Sequence, residues 1–328
     1  MRKQINKGFI LLILVMSLIL NCSVGAAATE ETAAESSLQT QQTYTVDTES
    51  EIYKLCGELA ENMAARQILI YDTATDTILY SKTVEGGKLY PASITKLFSS
   101  FVALQYLDPG EVVTAGSELN LVQEGSSKAY IYKGQQVTVE MVIEAMMLPS
   151  GNDAAMILAA AAGRRIAGDE SMDAGTAVQE FVAEMNRQAE SLGFEKSHFA
   201  NPDGYHVGSH YTCVNDMARI AKLALENETI SRYMRLHDAD VTYASGQTNH
   251  WENTNLLLDP EGEFYRPDAI GMKTGHTRQA GYSLMSAFQN GDSTLVIGMF
   301  GYTDEKVRFQ DTITLLKACR GELKAEIQ

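Results

Sequence analysis

Three short stretches of the chain carry residue types suited to acyl chemistry. In the first, Ser93 stands three residues before Lys96. A serine hydroxyl is a poor nucleophile until a base takes its proton. Residues i and i+3 of a helix share a face, so an unprotonated Lys96 can reach Ser93. A lysine loses its proton more easily when buried or close to other cations. A helix start at Ser93 also presents backbone N–H groups to a developing oxyanion. The second stretch is Ser150-Gly151-Asn152. Its hydroxyl can relay a proton to a leaving amine, and its amide can hold both the lysine and a substrate carbonyl. The competing explanation is a helix N-cap, a position that Ser, Asn and Asp all favour. The third is Lys273-Thr274-Gly275. On an edge strand Lys and Thr can bind a carboxylate, and Gly275 lets the backbone come close to a ligand. Taken one at a time, each stretch is commoner as ordinary structure than as a site.

Elements at the right places have to bring these stretches together. Gln67–Tyr71 and Thr77–Ser81 are β-rich and flank the polar turn Asp72–Asp76, which predicts a hairpin. Apolar residues at helical spacing from Ile94 to Leu107 put Ser93 at or near a helix N-terminus. The chain from about Val137 to Met234 reads as mostly helical. Helices are expected at Glu140–Met147, Asp153–Ala162, Thr176–Leu192 and Asn215–Glu226, with a Pro- and Gly-bearing loop at Asn201–Thr212. Tyr282–Gln289 and Ser293–Phe300 are apolar strands around Asn290-Gly291-Asp292, a strong hairpin signal, and Asp304–Lys324 is an amphipathic helix. Strands at both ends with helices between them predict an antiparallel sheet interrupted by a helical subdomain at about 108–240, within a folded region that begins near Glu51.

The N-terminus reads as an export signal. Arg2, Lys3 and Lys7 precede the apolar run Phe9–Leu20, and small residues follow from Gly25 to Ala28. The run is short for a bilayer span. Cleavage is expected after Ala26 or Ala28, with an uncleaved anchor as the alternative. Asn21 fits poorly as the residue before a lipidated Cys22. Residues 29–50 are rich in Thr, Ser, Gln, Ala and Glu and predict a flexible linker. The net charge is −16, and loss of residues 1–28, which hold three basic and no acidic residues, makes it −19. That balance argues against nucleic acid and anionic headgroups as partners. Cys56, Cys213 and Cys319 are far apart in sequence, without a C-x-x-C pair; export permits oxidation of a pair, and the plainer reading is buried or free thiols.

The order Ser-x-x-Lys, Ser-x-Asn, Lys-Thr-Gly is the motif set of penicillin-interacting serine enzymes. The chain resembles the low-molecular-mass penicillin-binding proteins, specifically the D-alanyl-D-alanine carboxypeptidase family of serine peptidases. The resemblance rests on Pro91-Ala92-Ser93-Ile94-Thr95-Lys96, Ser150-Gly151-Asn152-Asp153-Ala154-Ala155, Met185-Asn186, Leu192-Gly193, Asn201-Pro202-Asp203-Gly204, Gly271-Met272-Lys273-Thr274-Gly275-His276-Thr277 and Ala280-Gly281. It implies an α/β fold of α+β type, β-lactamase/transpeptidase-like, with a five-stranded antiparallel sheet covered by helices in a catalytic domain over 51–328. It also implies that Ser93 attacks the carbonyl of the penultimate D-alanine of a peptidoglycan stem peptide and that Lys96 takes its proton. Ser150 then protonates the departing D-alanine, with Asn152 orienting the group. Lys273, Thr274 and Gly275 form the carboxylate-binding strand, and the backbone N–H groups of Ser93 and His276 make the oxyanion hole. β-Lactam antibiotics would acylate the same serine. No cofactor or metal is implied.

Two departures from the family pattern stand out. The chain stops shortly after its last strand, so the family's C-terminal β-rich domain and amphipathic anchoring helix are expected to be absent. Members often carry Asn-Arg-Asn upstream of the third motif; here it reads Asn253-Thr254-Asn255, so an arginine contribution is missing or comes from elsewhere. His206 and His210 have a metal-like spacing, but Gly204 and Gly208 place them in a loop, where a stabilising role is expected. Trp251, Asn253 and Asn255 are expected to pack rather than react. The alternatives are a D,D-endopeptidase of the same family, a serine β-lactamase, for which the usual Glu-x-x-Leu-Asn is missing between Asn152 and Lys273, and a non-catalytic wall-binding protein.

Overall fold

In the computed structural model, which describes Tyr44 and residues 46–323, period-two alternation of apolar side chains lays out a central sheet with two covered faces. β1 (Gln67–Asp72) sends Ile68 and Ile70 into one core and Leu69 and Tyr71 into the other. β8 (Gly281–Asn290) and β9 (Ser293–Tyr302) divide the same way: Leu284, Phe288, Leu295, Ile297 and Met299 face one side, Met285, Ala287, Val296 and Phe300 the other. Burial on both faces explains why these strands read as near-continuous apolar runs. With β2 (Thr77–Lys82) and β7 (Ala269–Thr277) the sheet is antiparallel and five-stranded, in the order β2-β1-β9-β8-β7. The third motif is therefore on an edge strand, as expected.

One face is covered by α1 (Glu51–Glu61) and α8 (Val307–Cys319). The other carries α2 (Thr95–Ala103), α3 (Val139–Met147), α4 (Asn152–Ala167), α5 (Ala174–Ser191), α6 (Val214–Glu226) and α7 (Glu228–Met234). Caps fix several starts: Ser50 accepts from the Tyr53 N–H, Thr138 from Met141, Asp173 from Thr176 and Asn227 from Ile230. At Gly163 of α4 an added Cβ would fall 1.8 Å from the Ala177 carbonyl oxygen, so only glycine lets α5 cross this closely. Two small hairpins complete the fold: β3 (Val112–Thr114) with β4 (Gln136–Thr138), and β5 (Asp238–Thr242) with β6 (Thr248–Glu252).

The expected helices and hairpins are present with shifted ends. α4 runs five residues beyond Ala162, whereas α8 is shorter than Asp304–Lys324 at both ends. The folded part also reaches back past Glu51: the Tyr44 ring meets Tyr71 edge-on at 5.6 Å, and Val46 packs on the same core. The expected signal peptide and most of the linker lie outside the described residues. No helix among the described residues is long and apolar enough to cross a membrane.

Candidate active site

Ser93 sits in a short 3-10 turn, Ala92–Ile94, that runs directly into α2. Ala92 has φ +49, an uncommon value for a residue with a side chain, and it turns the chain sharply into the helix. One helical turn on, Lys96 is completely buried, and its Nζ lies 2.8 Å from Ser93 Oγ. The same Nζ donates to Asn152 Oδ1 at 2.7 Å and to the Asp203 carbonyl at 2.9 Å. Those two oxygens can only accept. A neutral amine has two N–H bonds to give them, which leaves its lone pair for the serine hydroxyl. Burial lowers the Lys96 pKa to about 8, against the opposing pull of the Asp203 and Asp153 carboxylates.

Ser150 reaches the site from the loop between α3 and α4, and Asn152 from the first position of α4. The residue that caps α4 is Gly151, without a side-chain hydrogen bond, so neither Ser150 nor Asn152 is spent on capping. Ser150 has φ +62 and lines the cleft beside Ser93. Asp153 fixes the loop opposite, its carboxylate accepting the N–H groups of Ala129 (2.8 Å) and Ile131 (3.2 Å). Trp251 and Asn249 both donate to the Ala129 carbonyl, at 2.9 and 2.8 Å, so Trp251 supports this wall from behind. Strained backbone concentrates here: Ala92, Ser150 and Met272 each adjoin a motif and have positive φ.

β7 passes against the nucleophile turn. A Cβ on Gly275 would lie 2.9 Å from the Pro91 carbonyl oxygen and 3.3 Å from the Ser93 nitrogen, so the strand backbone runs alongside that of Ser93. Thr274 lines the cleft and shares a 2.5 Å hydrogen bond with Thr254, the residue that stands where the family pattern has arginine. Lys273 is fully buried, its amine bonded to the Thr274 carbonyl at 3.4 Å. Burial, then the nearby charges of Lys96 and Arg308, push its pKa well down. His276 lines the cleft with its ring stacked on Tyr282, centroids 4.0 Å apart.

Sequence reasoning left two contributors without a role. The loop Asn201–Gly204 provides the third Lys96 acceptor. It is locked by Ser99 Oγ donating to the Pro202 carbonyl at 2.6 Å and by Gly204, whose φ is +82 and where a Cβ would be 1.8 Å from the Ala92 carbonyl oxygen. Asp203 is fully buried, its Oδ2 has no hydrogen-bond partner, and burial raises its pKa. The second contributor is Arg308, at the start of α8. It lines the cleft although it is 2 % exposed, donates to the Ser283 carbonyl at 2.9 Å and to Glu305 at 3.0 Å, and leaves Nε unpartnered. Arg308 thus places a guanidinium on the cleft wall. The two histidines separate: His206 lies in the cleft, while His210 is buried, accepts from the Ala200 N–H at 3.1 Å and donates to Thr95 Oγ1 at 2.9 Å. Ser93, Ser150, Asn152, Thr274, Gly275 and Arg308 thus converge on one cleft of about 760 Å³.

Comparison with known proteins agrees with this arrangement. The family model for D-alanyl-D-alanine carboxypeptidases of peptidase family S11 matches residues 55–303. The chain belongs to this D-alanyl-D-alanine carboxypeptidase family. A carboxypeptidase from Bacillus subtilis, DacF, is 29% identical over 259 residues, covering 78% of this chain and 61% of the relative. Escherichia coli DacA is 32% identical over 241 residues, covering 69% of this chain and 53% of the relative. The chain thus spans only part of the length of these carboxypeptidases. The crystal structure of the Streptomyces K15 DD-transpeptidase superposes with a TM-score of 0.69 at 27% identity, over 79% of this chain and 98% of that one. The carboxypeptidase family and the transpeptidase fold therefore account for the five-stranded sheet and the helices that cover it.

Proposed function

We propose that the protein is an exported serine-type D-alanyl-D-alanine carboxypeptidase that removes the terminal D-alanine from peptidoglycan stem pentapeptides through an acyl-enzyme on Ser93. The observation that carries this reading is the 2.8 Å contact between Ser93 Oγ and a buried Lys96 Nζ whose other two partners are both acceptors. Neutral Lys96 takes the Ser93 proton as Oγ attacks the penultimate carbonyl. Charge developing on that carbonyl oxygen is met by the adjacent backbone N–H groups of Ser93 and His276. Ser150, across the cleft, hands a proton to the departing D-alanine amine while Asn152 keeps the lysine in place. Thr274 and Arg308 hold the terminal carboxylate at the cleft surface, with Lys273 behind them. Water then cleaves the ester. A β-lactam, which also carries a carboxylate next to a reactive amide, acylates Ser93 by the same steps.

Incubation with a pentapeptide ending in D-Ala-D-Ala, followed by mass spectrometry, should show loss of one alanine. A fluorescent penicillin should label the protein, and Ser93→Ala should abolish both results. Cleavage of cross-linked muropeptide dimers with no action on the pentapeptide would reassign the protein as an endopeptidase. Rapid steady turnover of a chromogenic β-lactam would make it a β-lactamase. Labelling that survives in Ser93→Ala would overturn the assigned nucleophile.

A further inference from the structure

The face of the sheet away from Ser93 holds two cysteines that the mechanism does not use. Cys56 lies in α1 and Cys319 ends α8, the first and last helices of the described fold. Both belong to the core between those helices and the sheet, Cys56 fully buried and Cys319 half-buried. Packing of α1 and α8 on one core brings these distant positions of the chain together, close enough for each thiol to perturb the other's ionisation, Cys56 downward and Cys319 upward. Cys213 makes a useful contrast: it is buried at the start of α6, beside Asp216, and burial raises its thiol pKa to about 12.

We propose that Cys56 and Cys319 form a reversible disulfide that clasps α1 to α8 and closes the catalytic domain into a covalent ring. Two thiols that share one core across a pair of packed helices can form the bond where their Cβ atoms come within disulfide range. A low-molecular-mass disulfide supplies the oxidising equivalents. One cysteine thiolate attacks it, breaking its S–S bond and releasing a first thiolate. The second cysteine then attacks the mixed disulfide, forming the Cys56–Cys319 bond and releasing a second thiolate. The two cysteine protons end on the two released thiols, so the reagent is reduced by two electrons and the protein oxidised by two. Cys319, the more exposed of the two, meets the reagent first, and Cys56, whose pKa its neighbour draws down, resolves the mixed disulfide.

The clasp has a structural consequence at the cleft. α8 begins with Arg308 at the cleft and ends with Cys319 at the clasp, so cross-linking pins the far end of the helix that presents the guanidinium. A bond closing so long a loop restricts the unfolded chain strongly.

The test uses the full-length protein, reduced and then treated with oxidised glutathione under native conditions. Peptide mass mapping should find Cys56 joined to Cys319 and Cys213 still free, and Tm should rise by about 5–10 °C over the reduced form. Cys56→Ser and Cys319→Ser should each abolish that rise, while fluorescent-penicillin labelling of Ser93 persists in every form. Full alkylation of both cysteines after oxidation, or glutathione left on Cys319 without resolution, would overturn the proposal. A cross-link that leaves Tm unchanged would overturn its stabilising role.

Discussion

The protonation state of Lys96 makes the sharpest prediction. If the neutral amine is the base, acylation of Ser93 follows the fraction of Lys96 without its proton. With a pKa of about 8 that fraction is about 1% at pH 6, about 10% at pH 7, half at pH 8 and about 90% at pH 9. The second-order rate constant for penicillin acylation, read by stopped-flow with a fluorescent β-lactam, should therefore rise roughly ten-fold per pH unit from 6 to 7 and level off above 9. Asp203 and Asp153 both act to keep the proton on Lys96, so removing one carboxylate should move the acid limb to lower pH. For Asp203→Asn the upper bound is about two pH units, the order by which one neighbouring opposite charge moves a pKa. The observed shift should be smaller, because burial opposes the charged form of Asp203. A rate constant that varies less than about three-fold from pH 6 to 9, or an acid limb that moves up in Asp203→Asn, would refute the lysine as base.

Three further substitutions probe the cleft wall by wall. Arg308→Ala should raise KM for a free-carboxylate acyl-D-Ala-D-Ala substrate about 10- to 100-fold and barely affect a C-terminal amide, with Arg308→Lys recovering part of the loss; equal effects on both substrates would remove the guanidinium from carboxylate binding. Gly275→Ala should slow penicillin acylation at least ten-fold, because the added methyl meets the Pro91 carbonyl and the Ser93 nitrogen; unchanged acylation kinetics would show that the strand and the nucleophile turn can separate freely. Trp251→Phe should lower stability by only about 1 kcal/mol, since the Ala129 carbonyl keeps its bond from Asn249; a loss above about 3 kcal/mol in urea unfolding would mean that the indole N–H does more than support that wall.

Local spacing decided what could be read from the chain alone. Ser93 and Lys96 are three residues apart on one helix, so their contact follows from helix geometry without knowledge of the rest of the fold. Asn152 was legible as a residue that could hold the lysine, and β8 and β9 announced themselves through an Asn-Gly-Asp turn between two apolar runs. Arg308 was not legible, because it enters the cleft only after β8 and β9 have paired and α8 has folded back on the sheet. Lys273 was read as part of the carboxylate-binding strand, and its complete burial had no signal in the sequence. The hairpin β5–β6 escaped notice for a different reason. Its ladder pairs Asp238 with Glu252 and Asp240 with His250, so most of it is polar and exposed, and only Val241 and Trp251 mark the buried side. The end of α8 was overrun because helical periodicity persists in sequence past Cys319, where the chain turns at Gly321 with φ +72.

Electrostatics tie these pieces to one design. In a chain with net charge −16, three basic side chains, Lys96, Lys273 and Arg308, are buried around one cleft. Buried cations stabilise a fold poorly even when paired, and an unpaired one destabilises it. Of the three, only Arg308 has a carboxylate hydrogen-bonded to it; both lysines bond to uncharged oxygens. A lysine can escape the cost of burial by giving up its proton, whereas arginine cannot. The division of residue types follows from that difference. The amines sit deep, where burial strips a proton and leaves a base under the serine. The guanidinium, although buried too, lines the cleft wall, where a permanent charge can meet an anionic substrate. Exchanging the two kinds of cation would leave the net charge untouched and remove both the base and the fixed charge that the cleft needs.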